Sequence, residues 1–239
     1  MSETNRLHQR AGTGALAYDE GLRKYMLGVY NYMALGIAGT ALIALAFIQN
    51  PQWIATVGGL GFIPFIGVLA VGWFAPKVIF SGSRQMAFGA YALYVALWGV
   101  LIGPFVAATA LGPQGAADVA LAFFIAASIF MAMSLYGYTT KKDLSPMAKF
   151  LFMAGIGFLV LIVANFFIQS SGLSFLISAG VILYISAVTA YETQMIKNLY
   201  ADGATEQNER AAIFGAFALY GSFVTLFIHV LNLLGIMRD

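Results

Sequence analysis

Polar residues punctuate this chain at wide intervals, and seven long apolar runs lie between them. Their limits are 25–48, 53–75, 86–110, 117–138, 147–168, 173–196 and 212–236. Each is close to the ~20 residues that cross about 30 Å of hydrocarbon. Backbone in lipid must satisfy its own hydrogen bonds, so each run is predicted to be a helix. The expected fold class is therefore an all-α polytopic membrane protein with seven transmembrane helices. Connections are short, with polar turns at 49–52 and 169–172. Ser145 and Pro146 read as a cap followed by proline in the first turn of the fifth span. Pro64 in the second span and Pro104 in the third each remove a ladder donor, and kinks are expected there. Gly99 and Gly103, four residues apart, are expected to bring the third span close to a neighbour.

Composition supports the membrane assignment. The chain is 61% hydrophobic and 9% charged, against about 45–50% and about 25% in soluble domains. It has no cysteine, which excludes disulfides, thiol nucleophiles and zinc–thiolate sites. No basic stripe suggests nucleic acid. Residues 1–24 are polar, and the apolar run behind them is too long for a signal-peptide core. They are expected to form a flexible cytoplasmic tail, with 25–239 as the membrane domain. Eleven of the twelve Lys and Arg residues fall on one side of the predicted spans, and Arg238 alone falls on the other. The bias places the amino terminus in the cytoplasm and the carboxyl terminus outside.

Candidate chemistry centres on the sixth span. Glu192 is the one acid well inside an apolar run. A carboxylate there costs roughly 2.5–3.5 kcal/mol to insert, so it is expected where it has a partner or a use. Its expected role is an ion- or proton-responsive group in the cytoplasmic half of the helix. Thr189 lies on the same helical side as a candidate hydrogen-bond donor. On the seventh span Ser222, Thr225, His229 and Asn232 are spaced 3, 4 and 3, which puts them on one face. That stripe is expected to face the bundle interior, where it either hydrogen-bonds between helices or lines a path outward from Glu192, while Phe223 and Phe227 point elsewhere. Asn31 and Asn165 are further intramembrane polar groups, expected to bond across helices. No HExxH, GxSxG or Walker loop is present. No catalytic residue, metal ligand or cofactor is assigned, and an enzyme is not expected.

Three stretches carry a resemblance: LRKYMLGVYNYMALG at 22–36, SLYGYTTKKDLS at 134–145 and TAYETQMIK at 189–197. The chain resembles the Bax inhibitor/YccA-like family, whose bacterial members sit in the inner membrane. The resemblance implies seven helices with six around a central seventh. It also implies a pH-sensitive calcium leak, gated by two acids on helices six and seven that share a proton. Glu192 matches the helix-six acid. At the helix-seven acid this chain has Ser222, and Thr225 stands at a position usually Asn. The implied function is a pH-modulated leak of calcium or protons centred on Glu192 and Ser222. The alternative is a non-transporting regulator that binds an ATP-dependent membrane protease or another membrane complex, as one family member does.

Overall fold

A computed structural model describes the backbone of residues 3–113 and 115–237 and the side chains of 19–113 and 115–237. Arg238, and the side chains of most of the expected tail, lie outside the described residues. Eight helices follow in order: α1 (Glu3–Gln49), α2 (Gln52–Gly58), α3 (Ile63–Ser81), α4 (Arg84–Ala110), α5 (Ala116–Thr139), α6 (Met147–Ile168), α7 (Ser171–Asn198) and α8 (Thr205–Ile236). No strand occurs among the described residues. All but α2 contain a stretch long and apolar enough to cross a membrane, in α1 from Asp19 onward.

The second apolar run departs from expectation. Residues 53–75 do not form one helix. The chain breaks after α2 at Gly59, Leu60 and Gly61, with Gly61 at φ +56°, a conformation open to glycine at little cost. The spanning helix starts afresh at Ile63 and runs on to Ser81. Pro64 therefore lies in the first turn of α3, where a missing N–H costs nothing, and does not kink the span. Pro76 and Pro104 are the prolines inside helices. The fifth span has the expected limits, but Pro146 and not Ser145 is the cap of α6. Before it, Ser145 donates its backbone N–H to Asp143 Oδ1 at 2.9 Å. Bonds from Ser145 hold the Asp143 carboxyl below its ordinary range.

The last helix is the centre of the bundle. α8 is buried over 78% of its spanning window, and no other helix exceeds 39%. α1, α3, α4, α5 and α7 pack directly on it, while α6, only 6% buried, leans mainly on α7. Residues buried on α8 include Ile213, Phe217, Tyr220, Leu226 and Val230, while the half-buried positions Phe214, Ala218, Gly221, Thr225 and Asn232 keep to one face. That overturns one expectation, because Phe223 and Phe227 are as buried as Ser222. The polar stripe is itself divided, with Ser222 buried and Thr225, His229 and Asn232 half-buried. Gly99 and Gly103 do bring α4 close to α1. A Cβ at Gly99 would lie 2.5 Å from Ile43, and one at Gly103 2.6 Å from the Phe47 ring.

The described cations gather at one end. Arg84 pairs with Glu209 at 2.7 Å, Arg210 donates to the Phe80 carbonyl at 3.0 Å, and Lys197 donates to the Tyr138 carbonyl at 2.8 Å. These contacts tie the starts of α4 and α8 to each other and to the end of α3, and the end of α7 to the end of α5. We refer to this as the basic end.

Candidate functional site

Thr189, Thr193 and Ile196 point α7 into the bundle at its basic end and are fully buried. Glu192 shares that stretch, six residues before the helix ends at Asn198, or about 9 Å along the axis. It is half-buried and does not cap the helix. Ser222, buried on α8, donates its hydroxyl to Glu192 Oε2 at 2.6 Å. A hydroxyl–carboxylate contact that short is charge-assisted. Among the described residues no cation forms an ion pair with Glu192. Lys197 turns away, with its Nζ 5.0 Å from the Tyr138 ring centre. Tyr94 of α4 and Tyr184 of α7 lie within electrostatic range of the carboxylate. The Tyr94 hydroxyl comes so near α8 that a Cβ at Gly221 would lie 2.8 Å from it.

The turn bearing Glu192 is firmly held. Gln194 donates to the Lys142 carbonyl at 2.8 Å and accepts the Leu144 N–H at 2.7 Å. Tyr25 donates to the Ile196 carbonyl at 3.1 Å. Ser134 of α5 bonds Thr193 at 3.0 Å and Tyr30 of α1 at 2.6 Å. Four connections from α1, α5 and the loop after α5 thus converge within one turn of Glu192.

The other predicted site residues divide into two groups. Thr189 and Thr225 do not reach across the seam: each donates back to its own helix at 2.8 Å, to Ile185 and Gly221 respectively. Donation from Thr189 to Glu192 is therefore corrected, since the Thr189 hydroxyl is already used within α7. His229 and Asn232 do reach α7. His229 Nδ1 lies 3.1 Å from Ser178 Oγ, and Asn232 Nδ2 donates to Ser178 at 2.8 Å and to Ser174 at 3.0 Å. Two polar clusters thus lie along the α7–α8 seam, Glu192–Ser222 toward the basic end and His229–Ser178–Asn232–Ser174 toward the other.

Sequence reasoning missed Ser174, Ser178 and Tyr94. Ser178 could have been found, since it precedes Glu192 by fourteen residues and so shares its helical face. Tyr94 gave no signal, because an aromatic in a span ordinarily reads as packing. Asn31 is exposed on α1, and Asn165 has a buried Oδ1 with no partner among the described residues. Neither bonds across helices as expected. Asp118 lies 7% exposed in the first turn of α5, at the end opposite the cations. No group of three or more His, Cys, Asp or Glu residues among those described could hold a metal.

Two concavities open at the basic end. One, of about 650 Å³, is lined by Phe80, Ala204, Thr205, Glu206, Gln207 and Arg210. The other, of about 210 Å³, includes Tyr191, Gln194 and Asn198. Glu192 lines neither.

The sequence pattern of the family described as "Inhibitor of apoptosis-promoting Bax1" matches residues 22–239. The chain belongs to this family. Relatives agree over nearly full length. An uncharacterized protein of Rickettsia prowazekii is 36% identical, with 93% of each chain covered. An uncharacterized protein of Caulobacter vibrioides is 35% identical over the whole of both chains. Inner membrane protein YbhL of Escherichia coli is 34% identical, covering 91% of this chain and 94% of its own. As a Bax1-inhibitor-family protein with seven such helices, this chain is a multi-pass membrane protein.

Proposed function

We propose that this Bax1-inhibitor-family protein is a pH-modulated cation leak of the bacterial inner membrane, centred on Glu192 and working without a catalytic step. The 2.6 Å contact between Ser222 and Glu192 carries the reading. It makes an intramembrane carboxylate the tie between the central helix and α7 at the basic end. Protonation removes the charge that strengthens this bond, so proton binding loosens α7 from α8. The Glu192 carboxylate is thus the sensor and Ser222 its latch. The inner-membrane assignment rests on the name of the E. coli relative.

Purified protein in liposomes tests the reading by calcium and proton flux between about pH 5 and 8. Wild type is expected to leak with a pH-dependent rate, and Glu192→Gln with a pH-independent one. A Glu192→Gln profile that matches wild type removes Glu192 as the sensor. Absence of any flux favours the alternative, a non-transporting regulator of an ATP-dependent membrane protease. The open, charged concavity bearing Glu206, Gln207 and Arg210 would then be its contact surface.

Orientation is part of the proposal. The basic end faces the cytoplasm, since Lys and Arg are retained there. A reporter fused after Thr140 is expected to read cytoplasmic, and one at Gly172 periplasmic. The opposite result at both positions inverts the protein.

A further inference from the structure

We infer that the ion carried along the α7–α8 seam is the proton, and that Ser178 and His229 form its relay at the end opposite the cations. The inference rests on the leak reading above and assigns its ion. Calcium takes about six to eight oxygen ligands, several of them carboxylates. The cluster at the basic end offers one carboxylate, Glu192, with the hydroxyl of Ser222 on it and that of Tyr94 nearby. The other cluster has two hydroxyls, an amide and an imidazole. Neither set suits a hard dication. Both consist of groups that exchange protons or orient those that do.

The bonding within the outer cluster fixes its polarity. Asn232 Nδ2 donates to both Ser174 and Ser178. Ser178 Oγ, having accepted that bond, retains its own O–H to donate, and the acceptor within reach is His229 Nδ1 at 3.1 Å. The ring proton then sits on Nε2. A proton reaching Ser178 Oγ releases the hydroxyl proton to Nδ1, and Nε2 gives up its own. Each passage moves one proton onward and leaves both groups neutral, with the ring proton now on Nδ1, and rotation of the ring restores the acceptor before the next. Ser178 is 1% exposed, so the hydroxyl is held in place.

Seven residues separate Ser222 from His229, about 10 Å along α8. The interval is packed by Leu226, fully buried, and Ile185, and Thr225 donates away from it. This packed interval is the gate. The groups facing Glu192 are Tyr94, Tyr184 and Ser222. Those bonded around His229 are Ser178 and, through it, Asn232, with Asp118 the acid at the same end of the bundle.

The test uses full-length protein in liposomes, with pyranine reporting protons and a trapped fluorescent indicator reporting calcium, in parallel. Protons are expected to move and calcium not. His229→Gln keeps a hydrogen-bonding side chain but cannot carry charge. It should cut proton flux by about tenfold or more while eluting as wild type in detergent. Ser178→Ala, which leaves His229 in place, should do the same. Calcium flux that needs Glu192 overturns the proton assignment and leaves the leak standing. Proton flux unchanged in both folded variants overturns the relay. No flux of either ion overturns the leak reading itself.

Discussion

Gly137→Ala is expected to lower the stability of the bundle more than any other single methyl addition near the site. The Cβ it introduces would collide with the carbonyl oxygen of Ala190. That obstacle is backbone, so no rotamer change relieves it, and α5 must move away from α7. Overpacking of this kind costs typically about 1–3 kcal/mol, occasionally more. The separation also strains the bond from Ser134 to Thr193, whose 3.0 Å length depends on the same close approach. The expected loss is at the upper end of that range. Ser134→Ala removes the bonds to Thr193 and Tyr30 without the collision and should cost about 1–3 kcal/mol, about 0.5–1.5 for each bond. Thermal unfolding in detergent compares the two. A Gly137→Ala melting point equal to wild type would show that α5 and α7 are not locked together there.

Legibility from sequence followed the length scale of each feature. Seven spans were readable because about twenty apolar residues in a row have few other uses. The resemblance supplied what hydropathy could not, namely that the last helix is central, and its burial over 78% of its spanning window agrees. The break at 59–61 was hidden because glycine counts as neutral in an apolar run, and what decides there is the φ of Gly61. The stripe on α8 was half legible. Spacing put Ser222, Thr225, His229 and Asn232 on one face, but spacing cannot tell a hydroxyl that reaches a neighbour from one that bonds its own helix. Ser222 reaches Glu192, whereas Thr225 returns to Gly221. Assigning Phe223 and Phe227 to another environment assumed a helix with a lipid side, and α8 has almost none.

Ser222→Asp is expected to change the form of the pH response and not merely its size. In wild type one carboxylate receives a hydroxyl bond, so gating should follow a single protonation. Replacing Ser222 puts a second carboxylate where its hydroxyl now lies 2.6 Å from Glu192 Oε2. Two anions about 3 Å apart repel by roughly 5 kcal/mol even at an effective dielectric near 20. Both cannot be ionised in the closed packing, so the pair shares one proton. Its protons then leave in two macroscopic steps that belong to the pair. Flux between about pH 5 and 8 should follow one step in wild type and reveal a further one in Ser222→Asp. Ser222→Ala provides the contrast. It keeps one carboxylate and removes a charge-assisted bond worth about 1.5–3 kcal/mol, so it should leak faster with a single step. A two-step profile in wild type would mean that another acid already shares the Glu192 site. A single step in Ser222→Asp, with the protein folded, would mean that α7 and α8 part before the second carboxylate is felt, and that Ser222 does not latch Glu192.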